Sequence, residues 1–113
     1  MEGELILDEE KAIYHYDIAA KLGHMRSQVI LGNLYYYGFS VNKDINLSYK
    51  YFLAAASNGN ASSMYRVASI IINKEIPDLD YSEGYEWLKK AIIFGDEDAK
   101  ELLVKVNNDK KIE

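Results

Sequence analysis

Residues 27–59 read SQVILGNLYYYGFSVNKDINLSYKYFLAAASNG, and the spacing this stretch shares with its flanks decides the fold. Gly59 has counterparts at Gly23 and Gly95, Asp44 at Asp8 and Asp80, and Ala55 at Ala19 and Ala91, each 36 residues away. Softer positions keep the register. His15, Tyr51 and Trp87 are large rings, Ser27, Ser63 and Ala99 are small, and Leu31, Val67 and Leu103 are aliphatic. A fixed period of this length marks a repeat architecture, in which each unit buries its apolar face only by stacking on neighbours.

Each set of equivalent positions, or column, has a role in a helix hairpin. Aspartate at 8, 44 and 80 precedes an amphipathic run and suits an N-cap, with Glu83 placed to complete a capping box after Asp80. Glycine at 23, 59 and 95 suits the left-handed residue that ends a helix. Between cap and glycine, Ala12, His15, Tyr16 and Ala19 share one helical face, as do Ser48, Tyr51, Phe52 and Ala55, and Gly84, Trp87, Leu88 and Ala91. A second run follows each glycine, with Ser27, Leu31, Leu34 and Tyr35, then Ser63, Val67, Ile70 and Ile71, then Ala99, Leu103 and Val106 on its buried side.

The expected fold class is all-α: an α-solenoid of antiparallel helix hairpins, with six helices near 9–22, 26–37, 45–58, 61–73, 81–94 and 97–107. Residues 1–113 are expected to form one domain, with a half copy at 8–23, full copies at 27–59 and 63–95, and a half copy at 97–107. The two full copies differ at one turn. Lys74-Glu75-Ile76-Pro77 replaces Gly38 to Val41, which predicts a different backbone path there.

Composition narrows the function. Thirteen basic and eighteen acidic side chains give a formal charge of −5, which disfavours nucleic acid and anionic membranes as partners and accommodates a basic or mixed protein. There is no cysteine, so disulfides, thiolate metal sites and a cysteine nucleophile are excluded. The acidic start Met1-Glu2-Gly3-Glu4 is unlike an export signal, and the expected location is cytoplasmic.

In this register the chain resembles the Sel-one-like repeat, a relative of the tetratricopeptide repeat. Ser27, Leu31, Gly32, Tyr35, Gly38, Val41, Asp44, Tyr51, Ala55, Ala56 and Gly59 follow its pattern, with serine for the first alanine, tyrosine for tryptophan and Ser40 for the second loop glycine. Asp8, Lys11, Ala12, Ala19, Ala20 and Gly23 match the second half of a preceding copy, and Asp80, Trp87, Lys90, Ala91 and Gly95 that of the next. The resemblance implies a right-handed superhelix whose first helices line a concave surface used to scaffold protein complexes. Some cysteine-rich members have been proposed to hydrolyse β-lactams, and the absence of cysteine argues against that subgroup here.

No catalytic, cofactor or metal site is expected. His15 falls in a column of large rings and His24 in an interhelix turn, and no H-E-x-x-H, phosphate-cradling or dinucleotide-binding glycine motif occurs. The acidic clusters Asp8-Glu9-Glu10 and Asp96-Glu97-Asp98 are read as helix openings favoured by the macrodipole.

Tyrosine is in excess, at ten residues. Tyr16, Tyr35, Tyr49, Tyr51 and Tyr85 lie in apolar or aromatic columns, whereas Tyr36, Tyr37 and Tyr65 do not. Arg26, Val29, Asn33 and Tyr36 form a stripe at i, i+3, i+7 and i+10, matched by Ser62, Tyr65, Ser69 and Ile72 and then by Asp98, Glu101 and Lys105. The expected partner-binding residues on the concave face are Arg26, Val29, Asn33, Tyr36, Tyr65, Ser69, Ile72 and Glu101. The leading expectation is a non-enzymatic scaffold or adaptor that holds a protein segment; the alternative is an immunity or inhibitor protein that neutralises a toxin or enzyme. The unfinished ends, above all Leu102, Leu103, Val104 and Val106 near the C-terminus, also suggest a homodimer through the terminal helices.

Overall fold

The computed structural model describes the backbone of residues 2–112 and the side chains of residues 8–109. It contains six helices: α1 (Glu2–Lys21), α2 (Met25–Tyr37), α3 (Ile45–Ser57), α4 (Ala61–Ile72), α5 (Tyr81–Ile93) and α6 (Glu97–Ile112). No strand occurs among the described residues. The fold is an all-α repeat, and the chain divides into two compact units, Met1–Ala55 and Ala56–Glu113.

In the first unit α1 packs on α2, and the Gln28 side-chain amide donates to the Ala20 carbonyl at 3.0 Å. A missing side chain brings α3 against α2. A Cβ at Gly32 would stand 2.7 Å from the Phe52 ring, and beside it the Ser48 hydroxyl donates to the Gly32 carbonyl at 2.7 Å. Leu31, Phe52 and Ala55 are buried around this contact.

The second unit repeats the device on another pair. Gly84 of α5 lies so close to α4 that a Cβ there would come within 2.7 Å of the Ile71 side chain. Val67, Ala68, Ile70, Ile71, Leu88, Ala91 and Ala99 form the core as α4, α5 and α6 close on one another.

Helix ends follow the columns, with corrections. Gly23, Gly59 and Gly95 all have φ between 91° and 99°, a left-handed conformation that a Cβ would strain. Asp44 and Asp80 cap α3 and α5, accepting from the backbone N–H of Leu47 at 3.1 Å and of Ser82 at 3.0 Å. Asp8 is not a cap, because α1 begins at Glu2 and carries the Asp8-Glu9-Glu10 cluster within its length.

A second capping column is spelled in three different residues. His24, Asn60 and Asp96 stand 36 residues apart and cap α2, α4 and α6, accepting from the N–H groups of Ser27, Ser63 and Ala99. At the divergent turn Lys74 takes the left-handed conformation of its counterpart Gly38, with φ of 56° against 74°. The two paths separate further along, where Ser40 has φ of 63° and its counterpart Ile76 does not share it. Residues 107–112 continue α6 beyond its expected end at 107.

Candidate protein-interaction surface

Four of the expected binding residues lie along α2. Arg26 is exposed, and Val29, Asn33 and Tyr36 are half-buried. Tyr36 is less independent of the core than its column suggests. Its ring meets the buried Phe52 ring edge-on at 6.4 Å and that of Tyr37 at 4.9 Å, and Tyr37 in turn stacks on Phe39 at 5.3 Å. The missing side chain of Gly32 admits Phe52 to α2, and Tyr36 lies one turn further on.

The other four lie in the second unit, on α4 and α6. Tyr65 and Ser69 of α4 and Glu101 of α6 line one groove of about 260 Å³, together with Asp98, Leu102 and Lys105. Ile72 lines an adjoining groove of about 490 Å³ with Tyr81, Leu102, Lys105 and Val106. Helix periodicity explains the grouping. Tyr65 and Ser69 are four residues apart, as are Glu101 and Lys105, so each pair shares a helix face. The Asn73 amide donates to the Ser69 hydroxyl at 3.1 Å at the edge of the groove. An apolar wall from Leu102, an aromatic ring and carboxylates of the first turns of α6 together suit a peptide that carries both apolar and cationic groups.

Another groove, of about 670 Å³, lies outside the expected stripes. It runs between α1 and α3 of the first unit, walled by Ile13, Tyr14 and Leu47, with Tyr35 and Tyr51 among its lining residues. The Tyr51 hydroxyl donates to Asp17, which also pairs with Lys21 at 2.9 Å, and Tyr35 stacks on Tyr51 at 6.1 Å. The Tyr51 hydrogen bond, followed by that from Lys21, holds the Asp17 carboxyl below its usual range. Burial, reinforced by the same carboxylate, pushes the Tyr51 phenol well above the ordinary tyrosine value. No column marks this pair, since the counterparts of Asp17 are Leu53 and Lys89.

Among the described residues no group of three His, Cys, Asp or Glu side chains is placed to hold a metal ion, and no helix is long and apolar enough to cross a membrane. His24 is occupied as a cap, its Nδ1 lying 2.6 Å from the Ser27 hydroxyl. His15 is exposed on α1.

The Sel1 repeat family model matches residues 1–24, 26–60 and 61–92. The chain belongs to the Sel1 repeat family. A Sel1 repeat protein from Oxalobacter formigenes superposes with a TM-score of 0.78 at 32% identity, over 85% of this chain and 72% of the other. A protective antigen of uropathogenic Escherichia coli with an SLR fold superposes with a TM-score of 0.72 at 25% identity, over 77% of this chain and 19% of that one. The chitin synthase regulator SKT5 of Saccharomyces cerevisiae is 31% identical over 90 residues. That match spans 77% of this chain and only 13% of the yeast protein. Sel1 repeats are in general protein-interaction modules, and a protein partner is the class of ligand this family membership implies.

Proposed function

We propose that residues 1–113 act as a single non-enzymatic interaction domain in the cytoplasm, a scaffold or adaptor that holds a segment of another protein. The contact is made by the α2 stripe of Arg26, Val29, Asn33 and Tyr36 and by the α4 and α6 stripe of Tyr65, Ser69, Ile72 and Glu101. The observation that carries this reading is the convergence of Tyr65, Ser69 and Glu101, from two helices, on one groove. Tyrosine suits such a site, because it offers a large contact area with few rotatable bonds to immobilise and a hydroxyl that pairs with peptide groups. A yeast relative named as a regulator of an enzyme supports a role exerted through binding.

The test is capture of the partner from the native host, followed by affinity measurements on variants. Tyr65→Ala should weaken binding by about 1–3 kcal/mol, the usual range for an interface anchor, and leave melting unchanged. Tyr36→Ala is a less clean variant, since its ring leans on Phe52. Undiminished affinity in a normally folded Tyr65→Ala protein would remove the groove from the interface.

The same reading includes self-association through a terminal helix. In α6 only Val104 of the suspected apolar residues is exposed; Val106 is buried, and Leu102 and Leu103 are half-buried. The support for a dimer therefore shifts away from α6.

A further inference from the structure

One face of α1 departs from its own columns. Where α1 carries Tyr14 and Ile18, α3 carries Lys50 and Ala54, and α5 carries the charged pair Glu86 and Lys90. Tyr14 and Ile18 are 63% and 40% exposed, and Leu22, just past the helix end, is 83% exposed. Next to them are Ala12, His15 and Ala19, in columns built for close helix contact. In α5 those columns hold Gly84, within reach of Ile71 only because it lacks a Cβ, and the fully buried Ala91. In α3 they hold Ser48, bonded to the Gly32 carbonyl, and the buried Ala55. On α1, by contrast, Ala12 and His15 are exposed and Ala19 is half-buried.

We infer that this face of α1 binds a second copy of the chain, the two α1 helices pairing antiparallel as a closed dimer. The inference rests on the self-association reading above and names its surface. Tyr14, Ile18 and Leu22, with His15, make a stripe over two turns, and at its centre Tyr14 and Ile18 are apolar where α5 carries the charged Glu86 and Lys90. Charge supports the antiparallel sense. When Tyr14 lies against Ile18 of the second copy, Glu10 comes beside Lys21 of the second copy at both edges of the pair, whereas a parallel arrangement sets like charges side by side. Glu10, Tyr14 and Lys21 also edge the α1–α3 groove, so the incoming helix would border a cleft that is already formed.

A head-to-tail arrangement, with α6 of one copy on α1 of the next, lacks the complementary surface. At the positions where α4 has Met64, Ile71 and Ile72, α6 has Lys100, Asn107 and Asn108. An isologous contact uses the same patch twice and closes on itself, which the α1 face allows.

Sedimentation from low to high micromolar concentration tests the inference, with melting curves as the control for folding. The wild-type chain should dimerise, and the double variant Tyr14→Glu, Ile18→Lys should raise the dissociation constant at least about tenfold, as losing interface anchors does. That variant places on α1 the residue types that α5 already carries at these columns, so it is expected to fold. Val104→Glu and Tyr65→Ala should leave the dimer intact. Glu10→Lys alone should weaken it, and adding Lys21→Glu should restore it. A chain that stays monomeric throughout would overturn both self-association and this surface. A dimer that survives Tyr14→Glu, Ile18→Lys would overturn the surface alone, and loss with Val104→Glu would move the contact to α6. Failure of the charge exchange to restore pairing would overturn the antiparallel register.

Discussion

In the second unit Gly84 and Ala91 of α5 are sealed against α4, whereas in the first unit Ala12 and Ala19, at the same columns of α1, are exposed and half-buried. The residue types agree, and their surroundings do not. A repeat column therefore encodes which face of a helix is built for contact, while its burial comes from whether another helix lies on that face. The comparison also shows how α1 can hold exposed apolar side chains without any fault in the repeat.

The largest expected difference follows from placing one charge in one column twice. Ala91→Glu buries an unpaired carboxylate in a filled site and should cost at least about 3 kcal/mol, enough to unfold much of a marginally stable protein. Ala19→Glu can send its carboxylate to water and should cost less than about 1 kcal/mol. Urea unfolding of both variants at low micromolar concentration measures the gap. Equal losses would mean that α1 is covered as thoroughly as α5.

A smaller difference is expected one helical step away. Gly84→Val must displace Ile71 and Ile72, which a Cβ would approach to between 2.7 and 3.3 Å, and overpacking of this kind costs about 1–3 kcal/mol. Ala12→Val enlarges a side chain that is already exposed and should change stability by no more than about 0.5 kcal/mol. Comparable shifts in the two denaturation midpoints would remove the distinction between the sealed and the open column.

The same physics explains what could be read from the residues. Helices α2 to α5 begin and end within a residue of the expected bounds; aspartate and glycine columns mark both termini of α3 and α5 by identity, and the short turn after each glycine places the starts of α2 and α4. The start of α1 departs from such a reading, since Asp8 stands at the cap spacing but lies within a helix that runs from Glu2. The caps at His24, Asn60 and Asp96 escape it because three different side chains supply the same acceptor, and a search for identical residues passes over shared chemistry. Of the candidate site, Tyr65, Ser69 and Glu101 were legible because helical spacing puts them on facing sides of one groove. Tyr36 reads as outside the core from its column, whereas the close approach of Phe52 at Gly32 brings the two rings together. The α1–α3 groove depends on Tyr51 reaching Asp17 across 34 residues, a pairing that helical periodicity does not reveal.

That pairing separates the units in its pH dependence. Trp87, the counterpart of Tyr51, has no hydroxyl, and the Lys90 ammonium lies 4.9 Å from its ring centre instead. Tyr51→Phe should cost about 0.5–1.5 kcal/mol near neutral pH, the net worth of one hydrogen bond. The folded-state value for Asp17 is depressed below 3.8, so its contribution is complete above that pH and fades as pH falls through the lower folded value. The phenol of Tyr51 is raised above 10, so its contribution is complete below pH 10 and is lost only as pH climbs through the raised value. The stability difference between wild type and Tyr51→Phe should thus be flat from about pH 5 to 9 and shrink in strong acid. A difference that grew on acidification would contradict the assignment of Tyr51 as donor to an ionised Asp17.

The smallest effect concerns the turn where the two units diverge in sequence yet begin alike. Gly38 and Lys74 occupy one column and both are left-handed, at φ of 74° and 56°. In the first unit glycine is favoured on two counts, since a Cβ at Gly38 would also come to 3.3 Å from the Lys43 backbone nitrogen, a tight contact. In the second unit a lysine holds the same conformation, and a side chain in that region carries about 1–2 kcal/mol of backbone strain, partly offset by the greater freedom that glycine loses on folding. The net expectation is that Lys74→Gly stabilises the protein by about 0.5–1 kcal/mol. It should appear as a higher urea midpoint with an unchanged slope, because the turn is exposed and no buried surface is altered. The Glu75 N–H bonds the Ile70 carbonyl at 3.0 Å, as the Phe39 N–H bonds that of Leu34 in the first unit, so the helix end is already closed and glycine need only relieve strain. A loss of stability on Lys74→Gly would mean that the lysine side chain, through contacts along α4, contributes more than its backbone strain costs, and that the two turns share a conformation for different reasons.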